Sequence, residues 1–269
     1  MPTQAANAAP HRSLNLFAGE RAIVTGAASN IGRAIAIALA NEGASVILSD
    51  INAGRLEDVA GSIRDNGGTA QAITADLSKP DGWRVVADAV ASNPPHMFVH
   101  SVCPQRHETD LVLDVSEAAF DDMLNTNIRS GFLLGRALAK AMIDTKLDGR
   151  LLFLTSLHAY TPRNLPHYSA SKAGMTMLMK EMARQFGPHG IRVNAIAPGA
   201  IPGGGFATST EAFRPDRKIP LRRFGTAEDI AEAATALMSN RFMKYVTGAT
   251  LAVDGGLQLF SWIDAPEAV

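Results

Sequence analysis

Tyr168 and Lys172, four residues apart in Tyr168-Ser169-Ala170-Ser171-Lys172, are the side chains of this sequence best suited to chemistry. Residues at this spacing share one face of a helix, so the lysine ammonium is expected beside the tyrosine phenol. A positive charge stabilises phenolate and lowers the pKa of tyrosine from its ordinary value of about 10. The pair therefore predicts a general acid/base that exchanges a proton with an alcohol or a ketone.

Two further polar residues lie where the same chemistry needs them. Ser156 ends a predicted strand, and Asn127 lies at the start of a long predicted helix. Thr155 is a rival to Ser156 for the same place. A lone tyrosine–lysine pair at this spacing is usually solvated, so it is this added context that favours catalysis.

A phosphate-binding turn is predicted after the first strand, where the run from Thr25 to Gly32 leads straight into a helix. Gly26 permits the tight turn, and the small residues around Ser29 let backbone amides approach a pyrophosphate. Gly32 removes a side chain where the helix packs on the sheet. The run is not the common G-x-G-x-x-G fingerprint, and many strand–glycine–helix turns bind nothing.

Two acidic strand ends are predicted to contact the adenosine part of a dinucleotide. Asp50 ends the second predicted strand, where a carboxylate accepts hydrogen bonds from the ribose hydroxyls and repels a 2′-phosphate. No Lys or Arg occurs in Ala27–Ile31, so the sequence favours NAD over NADP. The alternative for Asp50 is a simple helix N-cap. Asp76, followed by Leu77, is placed near the adenine amino group.

Short apolar runs alternate with longer helical patterns, which predicts a parallel sheet covered by helices on both faces. The runs are nearly all apolar, as expected for strands buried on both faces. The fold class is therefore α/β: one doubly wound, Rossmann-like domain with a seven-stranded, mainly parallel sheet. The predicted strands are Ala22–Thr25, Val46–Ser49, Ala70–Thr74, Met97–Val99, Leu151–Thr155, Arg192–Ile196 and Thr250–Val253.

Helices are predicted after the glycine turn, from near Ser116, from Met123 to Met142, and from near Tyr168 to Gly187-Pro188. Residues 1–18 are interpreted as a polar N-terminal extension and residues 19–269 as a single dinucleotide-binding catalytic domain. The segment at about 200–220 lacks a clear period and is predicted to be a lid loop.

Taken together, the motifs resemble the short-chain dehydrogenase/reductase family from Ala22 to Leu257. The landmarks that carry the resemblance occur in family order, and they are Thr25–Gly32, Asp50, Asp76-Leu77, Asn127, Ser156, Tyr168 with Lys172, Pro198-Gly199, Val246-Thr247-Gly248 and Asp254-Gly255-Gly256.

The resemblance implies a role for each catalytic residue. Tyr168 is the acid/base, and Lys172 holds the nicotinamide ribose and lowers the tyrosine pKa. Ser156 hydrogen-bonds the substrate oxygen, and Asn127 anchors a water in a proton relay through Lys172. The remaining cofactor-binding residues are Gly26, Ser29, Asn30, Ile31, Gly32, Asp50, Asp76, Leu77, Pro198 and Gly199. Hydride passes directly between substrate and nicotinamide, so no metal is expected.

The sequence departs from the family at two places. Asn30 stands where the family has a second glycine, and asparagine tolerates the left-handed backbone region better than most residues. His100-Ser101-Val102-Cys103, followed by Pro104, replaces the family's N-N-A-G. Buried structural roles are expected for both His100 and Cys103. This replacement is expected to change the surroundings of the nicotinamide.

Net charge, cysteine count and the length of apolar runs exclude several classes of binding partner and of site. The chain has 269 residues and a net charge of −1, which predicts no binding to nucleic acid or to anionic membrane surfaces. One cysteine excludes an internal disulfide. No apolar run reaches bilayer-spanning length, and a cytoplasmic location is expected. The family resemblance implies a homo-oligomer, a tetramer or a dimer.

The expected activity is therefore NAD-dependent hydride transfer between a secondary alcohol and its ketone. Polar residues of the loop between Ser156 and Tyr168, namely His158, Arg163, Asn164 and His167, favour a small polar substrate such as a sugar, polyol or hydroxy acid. A lid with Gly203-Gly204-Gly205, then Arg214, Arg217 and Lys218, is expected opposite them. The alternatives are a 3-oxoacyl-thioester reductase and a non-catalytic NAD-binding scaffold.

Overall fold

The computed structural model describes residues 13–106, 111–162, 164–203 and 213–259. Their strands form one seven-stranded sheet in the order β3-β2-β1-β4-β5-β6-β7, and each neighbouring pair is parallel. The strands are β1 (Arg21–Thr25), β2 (Ser45–Asp50), β3 (Thr69–Thr74), β4 (Met97–His100), β5 (Arg150–Leu154), β6 (Arg192–Pro198) and β7 (Thr250–Val253). The predicted doubly wound α/β fold is confirmed, with a wholly parallel sheet.

Helices connect the strands and cover both faces of the sheet, as parallel pairing requires. They are α1 (Asn30–Asn41), α2 (Ala53–Asp65), α3 (Gly82–Ala89), α4 (Glu117–Leu124), α5 (Ser130–Asp144), α6 (Pro166–Phe186), α7 (Pro215–Lys218) and α8 (Ala227–Met238). A π-helical turn at Asn125–Arg129 joins α4 to α5, and short 3₁₀ turns cover Leu157–Ala159, Gly187–His189 and Leu257–Leu259.

Alternate side chains of each central strand enter different cores. In β1, Ala22 and Val24 pack with α1, α2 and α8, whereas Ile23 packs with α3, α5 and α6 on the opposite face. Successive strand residues point to opposite faces, so a strand covered twice must be apolar throughout. This explains the unbroken apolar runs of β1, β4 and β5.

The two outer strands depart from that pattern. β3 was expected to be buried on both faces, but Thr69, Gln71 and Thr74 are exposed. β7, at the other edge, is also only partly buried. An edge strand has one neighbour and less cover, so it tolerates polar side chains.

Helix boundaries differ from the prediction at the longest helix. The expected helix from Met123 to Met142 is interrupted, because α4 ends at Leu124 and the π-helical turn precedes α5. Ser116 caps α4 by accepting a hydrogen bond from the Ala119 amide at 3.2 Å. α6 ends directly before Gly187-Pro188, as predicted.

The packed core begins before residue 19. Phe17 is fully buried, and its amide donates to the Glu42 carbonyl at 2.9 Å, although the sequence assigns Phe17 to the N-terminal extension. Across the described ranges, no helix is both long and apolar enough to cross a membrane. The same residues contain no group of three or more His, Cys, Asp or Glu side chains that could hold a metal ion.

Candidate active site

A cleft of about 460 Å³ opens at the carboxyl ends of the strands. It is lined by Ser156, Tyr168 and Lys172 and by every other residue predicted to bind the cofactor: Gly26, Ser29, Asn30, Ile31, Gly32, Asp50, Asp76, Leu77, Pro198 and Gly199. Asn127 does not line the cleft and is 1% exposed. Residues from widely separated parts of the chain thus meet because parallel strands end on the same edge of the sheet.

The turn after β1 leaves no room for a side chain at either of its two glycines. A Cβ at Gly26 would lie 2.8 Å from the Val102 amide nitrogen, and its φ of +70° is the left-handed region. Asn30 has a φ of +45°, the conformation expected of it. A Cβ at Gly32 would collide with the Gly26 carbonyl oxygen. The missing side chain at Gly32 therefore lets the start of α1 approach the backbone of the turn that precedes it. The prediction that Gly32 makes room between the helix and the sheet is wrong.

The N-terminus of α1 suits a phosphate. Ser29 is the N-cap residue, its side chain makes no capping hydrogen bond, and the first turn carries no acidic residue. The first amides of a helix lack partners within the helix, and the helix dipole favours negative charge there. Together with the glycine cradle, this turn fits a dinucleotide pyrophosphate.

Asp50 is held by backbone amides at the far end of the same turn. Its Oδ2 accepts from the Ala28 amide at 3.1 Å, and its Oδ1 accepts from the Asn52 amide at 3.0 Å. Asn52, rather than Asp50, caps α2 by accepting from the Arg55 amide. The N-cap alternative for Asp50 is therefore wrong, and its carboxylate is oriented along the cleft wall.

Asp76 is fixed by its own turn. Its Oδ1 accepts from the Ser78 amide at 3.0 Å and from the Ser78 hydroxyl at 2.7 Å. These bonds hold the carboxylate at the end of the cleft that also contains Asp50.

Ser156 and Tyr168 line the same part of the cleft, and the Ser156 hydroxyl lowers the pKa of Tyr168. The Ser156 hydroxyl also accepts from the His158 amide at 3.2 Å. Thr155 donates its hydroxyl proton to the Ile196 carbonyl at 2.9 Å, so it is committed to the β5–β6 junction. This excludes Thr155 as a rival and leaves Ser156 beside the phenol.

The pKa of Tyr168 is raised, whereas the spacing to Lys172 predicts that it is lowered. Burial and, to a smaller extent, Cys103 raise the pKa of Tyr168, whereas the Arg106 charge and the Ser156 hydroxyl lower it, and the net result is a pKa of about 12. The Lys172 ammonium lies 5.5 Å from the tyrosine ring centroid and donates to the Leu154 carbonyl at 2.8 Å. Burial also lowers the pKa of Lys172, because both side chains sit in the protein interior.

Asn127 connects the π-helical turn to α6. Its Nδ2 donates to the Ser171 hydroxyl at 2.8 Å, and Ser171 donates to the Tyr168 carbonyl at 2.7 Å. Its Oδ1 is buried and has no hydrogen-bond partner among the residues described. The predicted water relay through Asn127 stays a prediction.

His100 is buried, as expected, and bridges two parts of the site. Its Nδ1 lies 3.0 Å from the Thr25 hydroxyl, and its Nε2 lies 3.2 Å from the Asn127 carbonyl. A carbonyl can only accept, so Nε2 carries the proton and Thr25 donates to Nδ1. Burial lowers the pKa of His100 to about 3, which keeps the ring neutral. A Cβ at Gly131 would lie 2.8 Å from this ring, so the glycine makes room for it.

Cys103 contradicts the expectation of a buried role. It is exposed, it lines the cleft, and its Sγ lies 3.9 Å from the Asn127 Nδ2. β4 ends at His100, so the following residues run along the edge of the sheet rather than inside it. The whole segment 101–106 lines the cleft.

The polar residues expected around the substrate are mostly elsewhere. His158 lines the cleft, with its ring edge-on to Tyr168 at 5.1 Å between centroids. His167 is buried and Asn164 is exposed, and neither lines the cleft. Arg163, Gly204 and Gly205 lie outside the described residues.

The cations expected from the lid do not line the cleft either. Arg214 pairs with Asp216 at 2.8 Å, and the Lys218 ammonium lies 5.2 Å from the Phe213 ring centroid. Arg217 is exposed. The guanidinium that does face the cleft belongs to Arg106, 4.4 Å above the Tyr168 ring. Sequence reasoning missed it, although its place just after a strand end was a usable signal.

Comparison with families and proteins of known sequence gives consistent matches. A family model described as enoyl-(acyl carrier protein) reductase matches residues 26–258. Glucose 1-dehydrogenase 2 of Bacillus subtilis is 33% identical over 90% of this chain and 96% of its own length. (3R)-3-hydroxyacyl-CoA dehydrogenase of Mus musculus is 32% identical over 88% and 95%. Gluconate 5-dehydrogenase of Gluconobacter oxydans is 31% identical over 92% and 98%.

Solved structures of similar proteins also superpose on most of this chain. A short-chain type dehydrogenase/reductase from Mycobacterium marinum superposes with a TM-score of 0.81 at 32% identity, over 90% of this chain and 96% of that chain. A protein from Agrobacterium tumefaciens assigned as 2-deoxy-D-gluconate 3-dehydrogenase, solved with bound NADP, gives a TM-score of 0.80 at 32% identity, over 92% and 98%.

Proposed function

The chain belongs to the short-chain dehydrogenase/reductase family, and from this premise we propose that it interconverts a small polar secondary alcohol and its ketone with NAD. Family membership makes it an oxidoreductase acting on CH–OH groups that uses a nicotinamide cofactor. The intact Asn127, Ser156, Tyr168 and Lys172 set argues against the alternative of a non-catalytic scaffold. The observation that carries the proposal is the meeting of Ser156, Tyr168 and Lys172 in one cleft with the Gly26–Gly32 turn.

Tyr168 is the proton carrier. In alcohol oxidation its phenolate accepts the hydroxyl proton, and in ketone reduction its phenol returns that proton to the oxygen. Ser156 lines the cleft beside Tyr168 and would hold the substrate oxygen within reach of the phenol. When bound, the nicotinamide ring accepts or returns the hydride. Lys172 lines the same cleft beside Tyr168 and would hold the ribose next to the nicotinamide.

NAD is the favoured cofactor because of Asp50. The amides of Ala28 and Asn52 orient its carboxylate, which would repel a 2′-phosphate. Among the described residues lining the cleft, Lys and Arg occur only as Lys172 and Arg106, at the end that holds Tyr168. NADP is the second candidate, because the relative from Agrobacterium tumefaciens was solved with it.

A polar substrate agrees with the side chains near Tyr168. Gln105, Arg106 and His158 line that end of the cleft, and polar groups left unpaired by an apolar ligand would be costly. Two relatives are named for glucose and gluconate. A 3-oxoacyl-thioester remains the alternative substrate, since another relative is named for a hydroxyacyl-CoA. The segment at about 200–220 is proposed as a lid that closes over the substrate.

Assembly as a homotetramer or a dimer, and a cytoplasmic location, stay predictions. Leu251 and Leu259 are 40% and 76% exposed near the end of the described chain, which suits an apolar contact between subunits.

The test is a turnover assay in which formation of reduced nicotinamide is followed by its absorbance. The panel holds sugars, polyols, hydroxy acids, a 3-hydroxyacyl thioester and hydrophobic cyclic alcohols, each with NAD and with NADP. The expected result is the highest kcat/KM for NAD with a polar substrate. A higher kcat/KM on a hydrophobic cyclic alcohol than on every polar substrate would contradict the proposed substrate class.

A further inference from the structure

Arg106 places a cation over the ring of the proton carrier. Its guanidinium carbon lies 4.4 Å from the centroid of the Tyr168 ring, and the side chain is half-buried at the cleft wall. Arg106 belongs to the segment 101–106, which follows β4 along the carboxyl edge of the sheet. Arg106 therefore follows the central strand that also carries His100 and lies at the substrate end of the cleft.

Among the described residues, no carboxylate occupies the hydrogen-bonding edge of this guanidinium. Stacking on a ring uses the face of the group, and its N–H donors point outward from the edge. Within residues 13–106, 111–162, 164–203 and 213–259, no carboxylate forms an ion pair with Arg106. Asp122, the α4 carboxylate that lines the cleft, is not paired with it. Such a cation gains most from an anion that arrives with the ligand.

A carboxylate is the anion that matches this position. A guanidinium donates two parallel hydrogen bonds to a carboxylate, with the planar geometry that one arginine provides. The reacting carbon must lie against Tyr168 and Ser156, and Arg106 stands over the same tyrosine ring. The anion is therefore joined to the reacting carbon by only a few bonds. The phosphates of an acyl-CoA lie at the end of a long arm and do not meet this condition.

We propose that Arg106 binds the carboxylate of the substrate, so that the enzyme selects hydroxy acids, sugar acids included, over neutral sugars, polyols and acyl thioesters. The inference rests on the proposed function and names the substrate class of that same site. It also gives the residues that directly follow the segment replacing the family's N-N-A-G a part in specificity.

The experiment compares each acid with its neutral amide. Gluconate is paired with gluconamide and 3-hydroxybutyrate with 3-hydroxybutyramide, and kcat/KM is measured for the wild type, Arg106→Gln and Arg106→Lys. The matched control is Arg136→Gln, because Arg136 is an exposed arginine stacked on Phe132 at 5.6 Å and does not line the cleft. Titration calorimetry of the same acids is done with NADH present, because an alcohol cannot be oxidised when the cofactor is already reduced, and it therefore measures binding without turnover.

For the wild type, the better acid is expected to exceed its amide by about 100-fold, and Arg106→Gln should remove most of that ratio. Arg106→Lys keeps the charge without the planar fork and should retain an intermediate ratio. Arg136→Gln should keep the wild-type ratio. In calorimetry, the acid should bind the wild type and bind Arg106→Gln at least about 10-fold more weakly.

Two results would overturn the assignment of Arg106. Equal kcat/KM for acid and amide in the wild type would show that the enzyme has no selectivity for the carboxylate, which is the property that Arg106 is proposed to provide. An equal loss on acid and amide in Arg106→Gln would mean that Arg106 acts only on the pKa of Tyr168. If no alcohol of the panel is turned over, the proposed function fails, and the calorimetric comparison still decides whether Arg106 holds a carboxylate.

Discussion

The two ends of the cleft hold their polar groups in different ways. At the adenosine end, the Gly26–Gly32 turn offers backbone amides, and Asp50 is itself fixed by backbone amides. At the substrate end, Arg106, His158 and Tyr168 are held mainly by contacts between side chains from separate segments. Binding groups supplied by backbone amides cannot be removed by substituting a side chain, so the adenosine end tolerates few substitutions. Binding groups supplied by side chains can be replaced one residue at a time at the substrate end. Variants at each end should therefore have separable effects.

Tyr168→Phe should have the largest effect and should act at the substrate end alone. It removes the proton-carrying group and keeps the ring, so kcat is expected to fall by ~10²–10⁴-fold. Binding of NAD, measured by calorimetry, should stay close to that of the wild type, because the Gly26–Gly32 turn is untouched. Near-normal kcat together with normal NAD binding would remove Tyr168 from its assigned role.

Asp50→Asn should act at the adenosine end alone. Loss of the carboxylate removes the repulsion of a 2′-phosphate, and the preference for NAD over NADP, taken as the ratio of kcat/KM values, should fall roughly 10- to 100-fold. The exposed Asp58 of α2 provides the control variant, Asp58→Asn, which should keep the wild-type ratio. A wild type that uses both cofactors equally well would show that Asp50 does not select NAD.

The adenosine end was predictable from the sequence because its parts are local. The turn, the helix start and the next strand end form one β–α–β unit, so their order along the chain fixes their place in the fold. The strands and the tyrosine–lysine pair of α6 were equally readable from periodicity and spacing.

The substrate end was not predictable in the same way. Chain order placed His167 and Asn164 near the reacting carbon, but the start of α6 buries one and turns the other outward. Arg106 reaches Tyr168 only through tertiary contact between the segment after β4 and α6. The direction of the tyrosine pKa was also wrong at the sequence level, because burial outweighs the nearby charge.

His100 joins the two ends, and its ionisation should affect stability rather than turnover. The folded-state pKa of about 3 lies below the ordinary value of 6.5, so the folded protein binds fewer protons between these values. The stabilisation is fully present above pH 6.5 and is lost as pH falls towards 3. Urea unfolding should show a free energy about 2 kcal/mol lower at pH 5 than at pH 7 from this group.

The matched variants isolate that contribution. His100→Asn should be destabilised at neutral pH, because the contacts with Thr25 and Asn127 are lost, and should show a weaker pH dependence than the wild type. His189→Asn, at an exposed histidine, should keep the wild-type dependence. The same pH dependence in His100→Asn and in the wild type would refute the buried neutral assignment.

Cys103→Ala should have the smallest effect, with turnover within about 10-fold of the wild type, since no proton or hydride step uses the thiol. The exposed Sγ faces the cleft, so a thiol reagent such as iodoacetamide should inactivate the wild type by blocking the substrate end. Cys103→Ala should resist it. Equal inactivation of both proteins would contradict the exposed position of this side chain.

The pH dependence of kcat/KM for alcohol oxidation, measured with saturating NAD, tests the central claim most directly. Tyr168 must be phenolate to accept the substrate proton, and its pKa in the structure is raised by burial. The profile should therefore rise by about 10-fold per pH unit through the neutral range, because a phenol with a raised pKa is mostly protonated there. Arg106→Gln removes a charge that lowers this pKa, so its kcat/KM on a neutral alcohol should be lower than that of the wild type throughout this range. A flat profile, or one that falls as pH rises from 6 to 8, would contradict Tyr168 as the proton carrier.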